Sequence, residues 1–473
     1  MATVAIDVNR RNRGSMASRP YQSALVFEIS KMFANGHRRL IVQLPTGGGK
    51  TQIASELVAR AHARRILYIV PSDEILAQTS SALGRAKIAH RVLSAGRKFP
   101  LDNVQCLLAM SQTLVRRLSS EMFAEWKPDL IFVDEAHKLI EQHRKVLEQW
   151  PCPVIGLTAT PVRLDGKPLA ELWPVLVCGP TIKSLQRQGF LVPCRSINAM
   201  MPDLSQVHLR NGDFDQAELD RAYSDDVLVT SAPNWWLKYA KGRRTIAFTA
   251  GVESSLKMVA AYRKAGIRAE HVDGSTPKAQ REAALDKLRK HQIDVLFNCQ
   301  LFIEGLDVVE VSCIQLLTST CSLSRFLQEV GRGLRPAKGK RDLLLLDHGG
   351  NTARHDRVDA DRDWYSGGVS LEVGHKTCLC CGTMIEKDRN LCPACFRTPV
   401  PQAPNNPVRL ARVARAASKT TPPRPCPDWA APVAKQWYDY ERQRHAEGLP
   451  LDETEVYCRR LLRKMNPPAR AAR

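Results

Sequence analysis

No stretch of this 473-residue chain holds the roughly 18 consecutive apolar residues that a membrane helix needs, so no span is expected. Met1 to Arg19 is polar and basic and lacks the apolar core of a secretory signal, so the chain reads as intracellular. No internal repeat is visible, so the chain is not read as a stack of repeated units. Acidic residues are in short supply. Asp and Glu number 48 against 69 Lys and Arg, giving a formal net charge of +21 and a pI near 9.6. Such an excess of positive charge favours a polyanionic partner, nucleic acid before membrane. Cysteine, by contrast, is not scarce. In an intracellular chain, 14 cysteines that partly cluster point to metal rather than to disulfides.

A single core does not grow to this length, so two or three domains are expected. Short apolar runs alternate with helical patterns from Tyr21 to about Val177, at Leu40–Leu44, Ile66–Val70, Val104–Ala109, Leu130–Asp134 and Val154–Thr158. Strands buried on both faces of a parallel sheet read this way. Residues 195–230 are polar and weakly periodic. Alternation resumes at Thr245–Thr249, Arg268–Val272, Asp294–Asn298, Cys313–Leu317 and Asp342–Asp347, with no second glycine-rich loop. The expected division is a flexible N-terminus (1–19), a first doubly wound α/β domain (20–190), a connector (191–230) and a second α/β domain (231–355). A linker (356–374), a cysteine module (375–397), a Pro/Arg-rich linker (398–428) and a basic helical tail (429–473) follow.

The chemistry centres on Leu44-Pro45-Thr46-Gly47-Gly48-Gly49-Lys50-Thr51, between an apolar strand and the helical pattern Gln52 to Ala63. A strand, a glycine-rich turn and Lys-Thr opening a helix is a phosphate-binding arrangement, whose backbone N–H groups converge on one anion. Lys50 is expected on the β- and γ-phosphates and the Thr51 hydroxyl on Mg²⁺. Asp134-Glu135-Ala136-His137 ends the strand Leu130–Val133, at the carboxyl edge where ligands of such sheets sit. Asp134 is placed to hold Mg²⁺ and Glu135 to take a proton from an attacking water.

These motifs resemble those of the superfamily 2 helicases of the DEAH type, close to the restriction- and repair-type group of bacteria and phages. The likeness covers about residues 20–350. The resemblance implies two tandem RecA-like domains and ATP bound between them. Within it Tyr21-Gln22 resembles the element whose glutamine reads adenine, and Thr158-Ala159-Thr160 the motif linking hydrolysis to strand binding. Phe248-Thr249 and Asp273-Gly274-Ser275-Thr276 resemble strand-contacting elements. Glu304-Gly305-Leu306-Asp307 resembles the fifth motif, with Gly305 and Asp307 near the nucleotide. Gln328-Glu329-Val330-Gly331-Arg332-Gly333-Leu334-Arg335 resembles the sixth, with Gln328 near the nucleotide. Arg332 and Arg335 are then expected to act as arginine fingers, completing the charge neutralisation begun by Lys50 and Mg²⁺. Two departures stand out: Leu44 at the start of the loop, where a small residue is usual, and Glu329 in the sixth motif. Candidate phosphate contacts on the strand are Ser72, Ser111, Gln112 and Thr276, which imply weak sequence preference and strong salt dependence. DNA is favoured over RNA through the resemblance alone, and DNA would make the protein nucleoid-associated.

Cys378-x-x-Cys381-Gly382 and Cys392-Pro393-x-Cys395 supply four thiolates at the spacing of a tetrahedral Zn²⁺ ribbon, with Cys380 a competitor for the place of Cys381. Four thiolates leave no open coordination position, so the ribbon reads as a docking module for a nucleic acid or a protein partner. Cys106, Cys299 and Cys313 read as core residues, and Trp235 and Trp236 as packing rather than base-stacking groups. His62 and His143 show no partner in the sequence. The expected function is an ATP-dependent helicase on nucleic acid. A translocase that does not separate strands, a motor subunit for a separate nuclease, and an adaptor with vestigial ATPase motifs remain open, and no nuclease motif is visible.

Overall fold

The computed structural model describes residues 19–370, except 62–64, 94–100, 102–103, 124–125, 164–168, 300, 302–307 and 366–368, together with two short strands beyond. The first domain opens with α1 (Pro20–Ala34), β1 (Arg39–Gln43), α2 (Lys50–Arg60), β2 (Ile66–Val70), α3 (Asp73–Arg85) and β3 (Arg91–Leu93). It continues with β4 (Cys106–Met110), α4 (Ser111–Val115), β5 (Leu130–Asp134), α5 (Ile140–Gln149), β6 (Val154–Thr158) and β7 (Val175–Cys178), after which α6 (Ile182–Arg187) packs its buried Leu185 into a core of the second domain. Its seven strands lie in the order β3-β4-β2-β5-β6-β1-β7, and every neighbouring pair is parallel. The central strands β2, β5 and β6 are buried at every position. Their Val, Ile and Leu side chains feed two cores, one on each face of the sheet.

The second domain comprises β8 (Cys194–Asn198), the hairpin β9 (Leu209–Arg210) and β10 (Asp213–Phe214), α7 (Gln216–Tyr223), α8 (Asp226–Tyr239), β11 (Thr245–Thr249), α9 (Val252–Lys264), β12 (Ala269–Val272) and α10 (Lys278–Arg289). It ends with β13 (Val295–Asn298), β14 (Cys313–Leu317), α11 (Leu323–Gly331), β15 (Leu343–Asp347) and α12 (Asn351–His355). The sheet order is β12-β13-β11-β14-β15-β8, again parallel throughout. The architecture is α/β with two parallel-sheet domains.

Three differences from the sequence reading have physical causes. Residues 191–230 are not a free connector. Cys194–Asn198 is the edge strand of the second sheet, in register with Leu343–Asp347, and α7 and α8 pack on its core through Leu219, Tyr223, Leu228 and Trp236. An edge strand needs no apolar run, and only Ser196 and Ile197 of β8 are buried. Likewise β3 and β7 are edge strands that the sequence reading did not include: β3 (Arg-Val-Leu) carries no apolar run, and β7 (Val-Leu-Val-Cys) is an apolar run left only partly buried at the sheet edge. Finally, the segment read as a linker from Asp356 packs at its start. Val358 is buried, Trp364 lies against the second core, and the Tyr365 hydroxyl donates to Leu176 O of the first domain at 3.3 Å. There β16 (Arg362–Asp363) pairs antiparallel with β17 (Val369–Ser370). Trp236 is buried and donates to Thr245 Oγ1 at 2.8 Å, while Trp235 stacks on Tyr239. Both are packing residues. Cys106 and Cys313 are buried, whereas Cys299 is partly exposed.

The strands β18 (His375–Thr377) and β19 (Met384–Glu386) form an antiparallel pair. Cys378, Cys380, Cys381, Cys392 and Cys395 lie outside the described residues, as do Gly305, Asp307, the Pro/Arg-rich linker and the basic tail.

Candidate nucleotide site between the two domains

At the carboxyl end of β1 the chain turns through Pro45–Gly49 into α2. Gly47 and Gly49 hold φ near +83° and +86°, a region open to glycine without steric cost. Where Gly49 lacks a Cβ the Gln22 amide fills the space, 2.5 Å from the ideal Cβ position. Gln22 Oε1 accepts from Arg19 N at 2.9 Å, and the Tyr21 hydroxyl donates to Gly48 O at 2.7 Å. The N-terminal element is thus fastened onto the phosphate loop. Thr46 Oγ1 is buried with no hydrogen-bond partner.

The second motif follows β5. Asp134, Glu135 and His137 are all buried. Glu135 adopts φ +46°, a left-handed conformation that costs a non-glycine residue about 1–3 kcal/mol and is typical of active-site turns. Its Oε1 accepts from Lys50 Nζ at 2.9 Å. Burial alone would raise the Glu135 carboxyl, but Lys50 first, with His137 and Lys138, holds the group down at about 2. Burial drives His137 down to about 4, so its imidazole is neutral at physiological pH. Asp134 Oδ1 accepts from Glu135 N at 2.9 Å.

The sixth motif reaches this site from the second domain. Gln328 on α11 directs Nε2 to Glu135 Oε2 at 3.4 Å. Gly331 lies against Thr46, and a Cβ on it would come within 2.6 Å of the Thr46 Cβ. The Arg335 side chain crosses Gly47, its Cγ 3.3 Å from where a Cβ would stand. Arg332 occupies the short turn that follows Gly331. Lys50, Thr51, Asp134, Glu135, Gln22, Thr46–Gly49, Gln328, Arg332 and Arg335 therefore belong to one region where the domains meet. Glu329, the departure in the sixth motif, is buried against Arg325 at 2.8 Å. Burial raises its carboxyl despite that partner, and its contacts run to its own helix, not to the phosphate loop.

The strand-contact candidates fare differently. Ser72 Oγ accepts from Ile75 N and caps α3. Ser111 is buried, donating to Val70 O at 3.4 Å and facing His143 Nε2 at 3.3 Å. Thr276 Oγ1 accepts from Asp273 N at 2.9 Å. These hydroxyls serve local structure, and only Gln112 is exposed. Sequence reasoning missed Ser324, which sits one turn before Gln328 and meets His137 and Thr160 of the first domain. Its only sequence signal is the i, i+4 spacing to Gln328.

Residues 15–163 match the family described as type III restriction enzyme, res subunit, and residues 228–337 match the helicase conserved C-terminal domain. A 51.5 kDa protein of Lactococcus phage (isolate 7-9) is 28% identical over 367 residues, covering 75% of this chain and 77% of that protein. A Schizosaccharomyces pombe protein described as a mitochondrial ATP-dependent helicase, irc3, is 29% identical over 355 residues, covering 71% of this chain but 58% of its own length. Among solved structures, a fragment described as the HsdR subunit of a type I restriction enzyme from Vibrio vulnificus YJ016 shares the fold. Its TM-score is 0.56 at 20% identity, over 77% of this chain and 70% of that one. Two successive stretches of the chain thus match a restriction-enzyme res subunit and a helicase C-terminal domain, and these matches with the helicase-named relatives support an ATP-hydrolysing enzyme of the nucleic-acid-dependent kind.

Proposed function

We propose that the protein is a DNA motor that couples ATP hydrolysis in the interdomain cleft to movement along, or separation of, strands. The observation that carries this reading is the meeting of Lys50, Glu135 and Gln328, from both domains, on one buried carboxylate. A site split between two bodies gives hydrolysis a way to open and close them, and a strand held across both then experiences a step.

In this reading Lys50 leaves Glu135 for the β- and γ-phosphates, and the buried, unpartnered Thr46 hydroxyl gains an acceptor in the bound nucleotide. Glu135, ionised, takes the proton of the attacking water. Arg332 and Arg335 bring positive charge from the second domain to the γ-phosphate. Gln22 is assigned to reading the adenine edge. Magnesium fits the donors present, since Thr51 and Asp134 offer hard oxygen. Magnesium would supply charge neutralisation on the phosphates. Gly305 and Asp307 are assigned to the nucleotide side of the second domain. Cys378, Cys381, Cys392 and Cys395 are assigned to one zinc in a docking module. DNA is preferred to RNA as the track because the relatives include proteins named as DNA translocases and restriction subunits.

The test is steady-state ATPase with single-stranded DNA, duplex DNA, forked DNA and RNA in parallel, alongside strand displacement. DNA is expected to stimulate turnover most. Arg332→Ala and Arg335→Ala are expected to lose roughly 10³-fold or more in rate while keeping much of the ATP affinity. Near-normal turnover in both variants would overturn the split site.

A further inference from the structure

The helix α11 carries a side chain that no family motif above includes. Ser324 Oγ accepts from Thr160 Oγ1 at 2.6 Å, lies 3.1 Å from His137 Nε2, and accepts from Gln328 Nε2 at 3.4 Å. Two of these partners belong to the first domain and one to the second. We propose that Ser324 is a positioning residue that transmits strand engagement from the Thr158–Thr160 segment to Gln328, and so to the catalytic Glu135. The proposal rests on the ATPase reading above and extends it from the nucleotide to the coupling.

The donors and acceptors can be counted. The single proton of Thr158 Oγ1 goes to Thr160 O at 3.1 Å, and the same oxygen accepts from Thr160 N at 3.0 Å. His137 Nδ1, 2.8 Å from Thr158 Oγ1, must then be the donor of that pair. A neutral imidazole has one donor and one acceptor nitrogen, so Nε2 accepts. Ser324 therefore gives its only proton to His137 and uses both lone pairs on Thr160 and Gln328. Its hydrogen-bonding capacity is exactly filled, and no other rotor state fills it without stranding a group. Gln328 Nε2 in turn is shared between Ser324 Oγ and Glu135 Oε2, each at 3.4 Å.

The resulting chain runs from Thr158 and Thr160 through His137 and Ser324 to Gln328 and Glu135. It exists only while the domains are together, because a contact stretched past about 3.5 Å ceases to be a hydrogen bond. A shift of Thr160 on strand binding pulls on the hydroxyl that helps fix the Gln328 amide. The Gln328 amide in turn fixes the carboxylate oxygen that faces it. Lys50 holds the other oxygen without help from Ser324, so nucleotide binding is separate from this chain.

The experiment compares Ser324→Ala and Ser324→Thr with the wild-type full chain, measuring ATP KM and kcat without strand and with saturating single-stranded DNA. Ser324→Ala is expected to lower the ratio of strand-stimulated to unstimulated kcat by roughly ten- to a hundred-fold, the scale of a small misplacement of a reacting group. ATP KM is expected to stay within about two-fold, as for an interaction that nucleotide binding does not use. Ser324→Thr keeps the hydroxyl and is expected to retain the ratio. A wild-type ratio in Ser324→Ala overturns the proposal, and so does loss of the ratio in both variants, since the hydroxyl would then not be what counts. A wild-type protein that no strand stimulates would sink the motor reading and this proposal together, whereas normal stimulation in Ser324→Ala sinks this one alone.

Discussion

Glu135→Gln separates two roles that the structure gives one side chain. In the structure Oε1 takes the Lys50 ammonium at 2.9 Å, and Oε2 faces Gln328 Nε2 at 3.4 Å. A carboxylate accepts at both oxygens, whereas an amide accepts at one end and donates at the other. Whichever way the amide turns, an NH₂ group meets either the Lys50 ammonium or the Gln328 amide. One favourable contact becomes donor against donor. A hydrogen bond to a charged group contributes about 1.5–3 kcal/mol, so the nucleotide-free fold should lose an amount of that order. Bound ATP takes Lys50 away from residue 135, and the loss vanishes in the complex. Affinity should therefore rise, by about tenfold for each 1.4 kcal/mol.

Turnover should move the other way, falling by roughly 10²–10⁴ because the amide cannot take the proton of water. Three measurements check this: urea unfolding without nucleotide, equilibrium binding of a non-hydrolysable ATP analogue, and steady-state ATPase with saturating DNA. Weaker nucleotide binding in the variant would refute the argument that Lys50 must leave Glu135. Unchanged turnover would refute the assignment of the base.

Two further outcomes follow from the same residues and from the cysteine module. The Glu135 carboxyl is held at about 2 against an ordinary value of 4.5. Its contribution to stability is thus complete above pH 4.5 and lost as pH falls from 4.5 towards 2. Urea midpoints across that acid range should fall less steeply in Glu135→Gln, and equal slopes would contradict the ion pair. Purified protein should carry about one zinc per chain, reduced by Cys392→Ala, with strand-stimulated ATPase largely kept. Protein prepared without chelators and free of zinc on elemental analysis would dismiss the four-thiolate site.

What was legible in the sequence is what burial on both faces dictates. Leu130–Asp134 and Val154–Thr158 were read with their full bounds, because central strands of a parallel sheet need apolar residues at every position. Leu40–Leu44 was displaced by one residue from Arg39–Gln43, since Leu44 is as buried as the strand although it starts the loop. That burial also accounts for the departure at Leu44, which packs under the loop near Gly48 and Gly179. Edge strands were legible only in part: β12 was read as Arg268–Val272, but β8 was not. Cys-Arg-Ser-Ile-Asn carries no periodic signal, and pairing with β15 makes it a strand. The residues Lys50 and Glu135 were legible because their motifs are local. Ser324 was not, because nothing but the approach of two domains gives it meaning, and the packing of Trp364 and Tyr365 was hidden for the same reason.

The chemistry of the interdomain contacts bears on how the cleft works. Across it lie Gln328 on Glu135, Ser324 on Thr160 and His137, and a pair between the partly buried Arg281 and the exposed Glu74 at 3.7 Å. Gly331 on Thr46 and Gly47 under Arg335 add close backbone approach without bulk. Hydroxyls and amides can exchange such partners for water at a net cost of only about 0.5–1.5 kcal/mol each. An apolar seam of the same extent would not part so readily, because opening would expose its area to water. Apolar contact is instead found beside the cleft, where Tyr21 packs edge-on against Phe190 at 5.4 Å. Phe190 stands just ahead of β8 and packs against the core of the second domain. The same division explains why the Glu135 carboxylate is fastened from both domains. Lys50 holds one oxygen from its own domain, and Gln328 reaches the other from the second domain.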